Sequence, residues 1–529
     1  MKGIECLSVI DERSAAFVAL GIAQQSQTVV ALICTSGSAM LNYAPALAEA
    51  FYQKIPLFVL SADRPNEWID QGENQSINQN EVYKNYIKKS YQLPVQINTE
   101  KDLWYSDRIV AEAINSCFYP DFGPVHVNVP LREPLYNLAE DITHTPKIID
   151  FIKPVYSLVD SAMKELVKEW DSHKKIMIVV GGLKKRDRAL EAVLQTIGKL
   201  NNVVVLKEAI SNVYGEDFID QIDANVEVVQ ANKSKSFVPS LVITLGAGVV
   251  SKKLKFWLRS QEGISHWHLT RSFEHWDIFQ GLSKVLQHDA LSFFEFMLKE
   301  TTTNQGIYRS DWMQLNKQTR SALDKYLGSQ EFLDFTVFEY LLNNIPSSSL
   351  VQFGNSTPIR YANLLHIPAG KDFEINANRG VSGIDGVLST ALGASLLDSK
   401  KLCFCISGDI AALYDSNALM NAHLNGNFKL IIINNQGGNI FKIIPGPDKL
   451  NELEQFFETK HIYEFSHLAK MYSCKYFKVN NMEELANSFK DFVEEEQESA
   501  ILEIRTDGTK SAHVLRSYFD FLKQDIKLN

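Results

Sequence analysis

No run of Lys and Arg is long enough to track a phosphate backbone, and 53 Lys+Arg against 63 Asp+Glu leave the chain at −10. That balance points away from nucleic acid as a partner. No window approaches the ~20 consecutive apolar residues that a membrane-spanning helix needs. The opening stretch MKGIECLSVIDERSAAF is broken by Asp11 and Glu12, too short and wrongly charged for a secretion signal. Cysteine is scarce: Cys6, Cys34, Cys117, Cys403, Cys405 and Cys474 lie scattered, most of them in apolar strand-like runs and without the paired spacing of a zinc site. They read as reduced core residues of a cytoplasmic protein. No repeat of period about 20–50 residues and no low-complexity tract occurs, which excludes a solenoid. What the chain does have is length and ordinary composition. At roughly 100–200 residues per domain, 529 residues make about three to four domains. With 45% hydrophobic and 22% charged residues, a soluble enzyme is the leading class.

Short apolar runs alternate with helical patterns throughout, the signature of parallel sheets wound with helices. The fold class is α/β, three consecutive doubly wound, mostly parallel-sheet domains: 1–145, 146–318 and 319–529, with a linker around Pro154. The first third offers CLSVID, VVALICTS, LFVLSAD and VHVNVP as strands, with SAAFVALGIAQQ and APALAEAFYQK as helices. The middle third offers KKIMIVVGG, NNVVVLKEA and LVITLGAG, and the last LVQFGNS, DFEINAN, LCFCISGD, LIIINNQGG, KYFKV and AILEIRT. Gly181-Gly182 and Gly246-x-Gly248 each follow a middle strand but do not complete G-x-G-x-x-G, so they read as tight strand-to-helix turns and carry no dinucleotide.

The strongest local chemistry is in the last third. Gly408-Asp409 ends one apolar strand, and Asn434-Asn435 ends the next, followed by Gly437-Gly438. A carboxylate and an amide oxygen at the carboxyl ends of neighbouring parallel strands can share one hard cation, with a loop carbonyl adding a third oxygen. Mg²⁺ held this way would bridge to a diphosphate, whose oxygens the amides after Asp409 could receive. Turn chemistry alone explains the same residues about as well.

The run GDIAALYDSNAL followed by IIINNQGGNIF resembles the thiamine-diphosphate fold signature, with Ile410 where most such enzymes carry glycine. Further segments narrow the resemblance: IDERSAAFVALGIA, TSGSAMLNYAPALAEA, LSADRPNEWIDQGENQSINQ, FGNSTPIRYANLL and NRGVSGIDGVLSTALG. Together they closely resemble the 2-succinyl-5-enolpyruvyl-6-hydroxy-3-cyclohexene-1-carboxylate (SEPHCHC) synthase family of menaquinone biosynthesis. The resemblance spans most of the chain and is weakest in the middle third. It implies a transferase that decarboxylates 2-oxoglutarate and adds the succinyl carbanion 1,4 to isochorismate. It also implies thiamine diphosphate with Mg²⁺ or Mn²⁺ (manganese), and a homodimer or homotetramer in which Glu12 of one subunit meets the cofactor held by Asp409 of the other.

Family roles then fall on single positions. Glu12, which without the resemblance is a solvated charge at a strand end, matches the catalytic glutamate that protonates the aminopyrimidine ring as the thiazolium carbon loses its proton. Asp409, Asn435 and the carbonyl of Gly437 match the metal ligands. Ile384 matches the bulky residue that props the bent cofactor, Ile440 and Phe441 would wall the thiazolium, and Ile410 and Ala411 border the diphosphate; apolar core packing is the plain alternative for Ile384, Ile440 and Phe441. Both implied substrates are dianions, and arginine forks suit carboxylates. Arg64, Arg360 and Arg379 match the family's basic residues, with Asn74, Gln75 and Ser356 as neutral partners and Gln75 also placed among the catalytic groups. Lys252-Lys253 match loosely a basic pair of the middle domain, where a solvated helix face serves equally.

Family members carry, ahead of the Glu12 segment, a first strand and helix with Pro-Gly-Ser-Arg, whereas this sequence starts just before Glu12. The first sheet is therefore expected to lack a strand and present an edge. Two other functions fit parts of the pattern: a thiamine-diphosphate 2-oxoacid decarboxylase or acetolactate-type synthase, with a more apolar site, and a truncated non-catalytic homologue.

Overall fold

Strands and helices alternate along the computed structural model, which describes residues 3–133, 135, 144–152, 154, 156–444 and 446–528. The first sheet holds β1 (Val30–Cys34), β2 (Leu57–Asp63), β3 (Ser90–Gln92) and β4 (Val125–Pro130) in the order β1-β2-β4-β3. The second holds β5 (Ile176–Val180), β6 (Val203–Lys207), β7 (Phe218–Ile219), β8 (Leu241–Leu245), β9 (Ser265–Thr270) and β10 (Leu282–Gln287), ordered β10-β9-β8-β5-β6-β7. The third holds β11 (Leu350–Phe353), β12 (Glu374–Ala377), β13 (Cys403–Gly408), β14 (Phe428–Asn434), β15 (Lys475–Val479) and β16 (Ala500–Arg505), ordered β12-β11-β13-β14-β16-β15. The pairings are parallel, as in β5 with β8 and β14 with β16. Helices cover both faces of such sheets, so their strands are largely apolar, and β5, β6 and β8 are buried at every position, Lys207 at the end of β6 included.

All six strands expected in the last third form, as do the three of the middle third. CLSVID does not. Residues 4–9 have no regular structure, and Ile4 and Ile10 are 62% and 78% exposed, because an alternating run becomes a strand only where a neighbour takes its hydrogen bonds. Cys6 is accordingly exposed, a correction to the expectation that the cysteines are core residues; Cys117, Cys403 and Cys405 are buried. Strands β3, β7, β9 and β10 went unforeseen: β7 has two residues and β3 three, and β9 (SHWHLT) and β10 (LSKVLQ) mix polar groups into the run. The paired glycines of the middle third are close-approach turns, since a Cβ on Gly181 would stand 1.8 Å from the Ala247 carbonyl oxygen.

Contacts divide the chain into two units. One comprises Met1–Pro154, Asn378–Lys400 and Tyr414–Phe428; the other comprises Val155–Ala377, Lys401–Leu413 and Lys429–Asn529. In the first unit the helix Glu12–Ser26 lies against the helix Val387–Ser395. The two backbones approach so closely that a Cβ on Gly21 would sit 2.0 Å from the Thr390 carbonyl oxygen, and one on Gly393 2.0 Å from that of Val18. Phe17, Leu20, Tyr43, Leu47 and Leu57 fill the core beneath. The second unit carries the second and third sheets over a core that includes Trp257, Trp312, Phe335, Tyr361 and Tyr518.

Asp415 is wholly buried in the first unit. Its carboxylate accepts from Ser389 N (2.8 Å) and Ser389 Oγ (2.7 Å), and Ser389 Oγ lies 3.0 Å from Ser14 Oγ. Burial pushes the Asp415 carboxyl up to about 7 against these donors and the charge of Arg13. A carboxyl raised on folding binds its proton more tightly in the native state, so its contribution is fully present below about pH 4 and lost as pH rises through about 7. A shift of that size corresponds to on the order of 4 kcal/mol. Asp415→Asn stays neutral at every pH. Its stability relative to wild type, from urea midpoints, is therefore expected to rise between about pH 4 and 7 and to level off above; a difference constant from pH 4 to 8 refutes the assignment.

Candidate active site

In the third sheet β11 and β13 are neighbours whose connections leave in opposite directions, which opens a crevice at their carboxyl ends. Asp409 follows β13 there and opens the helix Asp409–Tyr414. Its carboxylate accepts from Ile410 N (2.7 Å) and Gly437 N (3.0 Å), and Nε2 of His461 lies 3.1 Å from Oδ2, outside hydrogen-bonding geometry. The Asp409 and His461 side chains are 2% and 3% exposed. The two asparagines after β14 do different work. Asn434 is structural: Nδ2 donates to Glu503 Oε1 (2.7 Å), and Oδ1 accepts from Gln436 N (3.2 Å). Asn435 is half-buried and donates Nδ2 to Asp334 Oδ2 at 2.9 Å. Burial raises the Asp334 carboxyl, opposed by hydrogen bonds from Thr506, Asn435 and Ser511, and the charge of Asp409 raises it further.

Gly437 takes φ +154°, and a Cβ there would stand 2.8 Å from the Glu458 carbonyl oxygen, so only glycine lets this loop fold under residue 458. Gly438 N donates to that carbonyl. Glu458 is ion-paired with Lys442, and His461 stacks on Tyr463 at 5.1 Å. Glu458 Oε2 and both amide atoms of Asn439 are buried without hydrogen-bond partners among the described residues. The donors that gather here are carboxylate, amide and carbonyl oxygens, the hard set that suits Mg²⁺ or Mn²⁺. Among the described residues no group of three or more His, Cys, Asp or Glu could hold a metal by itself, so a cation here takes amide, carbonyl or phosphate oxygens as well. These residues fit a bound cation and its diphosphate. Beside them Ile410, Ile440 and Phe441 are half-buried, Ala411 is buried, and Phe441 meets Phe457 edge-on at 5.6 Å.

Also in the second unit, Ser356 (φ +74°) precedes the helix Thr357–Leu364 that carries Arg360. Burial lowers the Arg360 guanidinium, countered by the charge of Asp223, and its Nε is buried with no hydrogen-bond acceptor among the described residues. Asp223 accepts from Ser251 Oγ, the N-cap of the helix Lys252–Arg259. Lys252 is exposed, whereas Lys253 pairs with Glu227 and lies 4.2 Å from the Phe519 ring centroid. A structural partner therefore holds Lys253 in this structure.

In the first unit Glu12 is the first residue of the helix Glu12–Ser26, capped by Asp11, not the end of a strand as expected. It lies near the carboxyl end of β1, where burial pushes the Cys34 thiol up to about 11 and the charge of Glu12 adds to the shift. At the ends of β1 and β2, Arg64 Nε reaches the Asn74 carbonyl (3.4 Å), and Arg64 also pairs with exposed Glu133 at 3.6 Å. Gln75, at φ +52°, packs over Gly37, whose Cβ would stand 3.1 Å from it. The loop holding Arg379 and Ile384 is gripped by buried Glu49, which accepts from Gly380 N (2.6 Å) and Val381 N (2.8 Å). The structure thus brings together Asp409, Asn435 and Gly437; Ser356 and Arg360; Arg64, Asn74 and Gln75; and Arg379 and Ile384.

Residues 1–82 match the family model described as thiamine pyrophosphate enzyme, N-terminal TPP binding domain, and residues 362–504 the corresponding C-terminal TPP binding domain. The chain is 38% identical over 515 residues to the SEPHCHC synthase of Flavobacterium johnsoniae, covering 97% of this chain and 91% of that one. It is 39% identical over 517 residues to the enzyme of that name from Flavobacterium psychrophilum, with the same coverage. Against that of Cytophaga hutchinsonii it is 37% identical over 531 residues, 99% and 93% of the two chains. The chain belongs to the SEPHCHC synthase family. As a SEPHCHC synthase family member it is a thiamine-diphosphate transferase, and among its described residues no helix is long and apolar enough to cross a membrane.

Sequence reasoning about the SEPHCHC synthase family missed Asp334, Glu49, His461 and Glu458, all buried. Their signal is weak: a carboxylate in the first turn of a helix, as Asp334 is, reads as a partner of the helix dipole, and a lone histidine or glutamate in a loop (His461, Glu458) or along a helix (Glu49) reads as solvated. Burial with named partners distinguishes them, and it arises only from tertiary packing.

Proposed function

We propose that this chain catalyses decarboxylation of 2-oxoglutarate and 1,4-addition of the succinyl unit to isochorismate, giving 2-succinyl-5-enolpyruvyl-6-hydroxy-3-cyclohexene-1-carboxylate for menaquinone synthesis. The similarity to SEPHCHC synthases over 97% of the chain carries this reading. Thiamine diphosphate, when bound, supplies the electron sink that the loss of carbon dioxide needs. Asp409, the Asn435 amide oxygen and the Gly437 carbonyl hold the divalent cation that neutralises its diphosphate. Ile410 and Ala411 border that end, Ile440 and Phe441 would wall the thiazolium, and Ile384 would support the cofactor. Glu12 holds a proton at the aminopyrimidine ring and so governs activation of the cofactor, with Gln75 as a neutral hydrogen-bonding group beside the reacting atoms.

Arg64, Arg360 and Arg379 each serve to bind a substrate carboxylate, with Asn74, Gln75 and Ser356 as neutral hydrogen-bonding partners and Lys252 and Lys253 as a further basic pair. The unsatisfied Nε of Arg360 supports its part, since a buried donor without an acceptor is costly until an anion supplies one. We place the pyrimidine-binding domain at 1–145, the middle domain at 146–318 and the diphosphate-binding domain at 319–529; each of the three sheets lies within one of these ranges. The protein works in the cytoplasm as a homodimer or homotetramer.

Carbon dioxide release tests the reading. With Mg²⁺ and thiamine diphosphate, release from 2-oxoglutarate is expected to rise on adding isochorismate, with little from pyruvate; a preference for pyruvate overturns it in favour of a decarboxylase or acetolactate-type synthase. Arg360→Lys and Arg379→Lys each replace a two-pronged fork with a point charge. Losing a charge-assisted pair of about 1.5–3 kcal/mol raises KM for one dianionic substrate by roughly tenfold to a few hundredfold, with cofactor affinity unchanged. Unaltered kinetics for both substrates in both variants would make these arginines structural.

A further inference from the structure

Asp334 begins the helix Asp334–Asn344, 1% exposed, and none of the roles assigned above includes it. Three neighbours hold it. Its backbone N donates to Ser511 Oγ (3.1 Å), Thr506 Oγ1 donates to carboxylate Oδ1, and Asn435 Nδ2 donates to Oδ2 at 2.9 Å. A carboxylate accepts and cannot donate, whereas a carboxamide has one end of each kind. With Nδ2 committed to Asp334, Oδ1 of Asn435 is the end left to face away. Turning the amide over would set its oxygen against a carboxylate oxygen in a buried site, so the unwanted orientation is disfavoured electrostatically.

We propose that Asp334 is a positioning residue for the divalent cation: by holding the Asn435 amide nitrogen, it keeps the amide oxygen available as a metal ligand. This rests on the cofactor reading given above. The wider arrangement agrees with it. Asp334 and Asp409 are both buried and hold the same loop, through Asn435 Nδ2 and Gly437 N, so two carboxylates stand around one ligand set and a bound cation relieves their repulsion. Thr506 follows β16, and its backbone N reaches the Asn434 carbonyl (3.3 Å), so the orienting carboxylate is anchored to the strand beside the one that presents Asn435. Outer groups that orient a metal ligand typically account for 10- to 100-fold in affinity.

The test is Mn²⁺ binding by the full-length protein in the presence of thiamine diphosphate, followed by electron paramagnetic resonance and calorimetry, alongside Tm. Asp334→Asn presents an amide that can accept from Thr506 only by turning its own NH₂ toward Asn435, which turns the Asn435 oxygen inward. Its Mn²⁺ affinity is expected to fall 10- to 100-fold. Thr506→Val removes the hydrogen bond to the other carboxylate oxygen of Asp334 and leaves the Asn435 contact, so it is expected to lower Tm while Mn²⁺ affinity stays within about threefold. The swap Asp334→Asn with Asn435→Asp puts an oxygen outward again and a donor behind it, and is expected to recover affinity to within about tenfold of wild type. Unchanged Mn²⁺ binding in Asp334→Asn overturns the inference, as does equal loss in Asp334→Asn and Thr506→Val without recovery in the swap. If Asp334→Asn does not fold alone, the swapped pair decides: a folded pair that fails to bind Mn²⁺ overturns the proposal. Absence of Mn²⁺ binding by wild type overturns the cofactor reading and this inference with it, which separates the two failures.

Discussion

Asp409→Ala is expected to weaken binding of Mg²⁺ and thiamine diphosphate together, by more than the roughly 100-fold that removal of an outer group can reach. Two effects add. The variant loses a carboxylate ligand, so the charge of the diphosphate is poorly neutralised. It also releases Ile410 N and Gly437 N, both donors to that carboxylate, and so loosens the turn and the glycine loop that frame the site. Asp409→Asn separates them, because it retains an acceptor of similar size without the charge. Calorimetry with Mg²⁺ and thiamine diphosphate is the measurement; binding unchanged in Asp409→Ala would mean that the crevice after β13 is not the cofactor site.

Glu12→Gln is expected to keep cofactor affinity and lose turnover by ~10²–10⁴, the usual span for a group that transfers a proton in the rate-limiting chemistry. The glutamine matches the glutamate in size and still hydrogen-bonds, but it cannot take up or hold the proton. The fold is not at risk, since the helix cap is made by Asp11, whose carboxylate accepts from Ser14 N at 3.1 Å. Exchange of the thiazolium C2 proton for deuterium gives a reading independent of the substrates. Wild-type exchange rates in Glu12→Gln would remove Glu12 from the mechanism.

β13, β14 and β16 of the last third were legible because they are largely apolar runs of six or seven residues buried almost throughout, and a buried parallel strand leaves that mark in the sequence. CLSVID carries a similar mark and forms no strand, since pairing depends on a neighbour that a local run cannot specify. The site was legible where chemistry fixes residue type and spacing together, as at Asp409, Asn435 and Gly437. Asp334 was not, because its partners Asn435, Thr506 and Ser511 stand 101, 172 and 177 residues along the chain. Glu49 was not, for the same reason: the amides it holds lie 331 and 332 residues away. Lys253 shows the converse, a charge in a matching position whose neighbours Glu227 and Phe519 became apparent only in three dimensions.

The crossing of the helices Glu12–Ser26 and Val387–Ser395 also sets a schedule for synthesis. Ser14 and Ser389, which meet there, are 375 residues apart. At about 5–20 residues per second, the ribosome takes roughly 20–75 s to deliver the second helix after the first. Through that interval the face of the helix that carries Gly21 lacks the backbone it meets in the native fold. A helix made well before its partner thus completes its packing late, and its glycine-bearing face stays open to other chains until the second helix arrives.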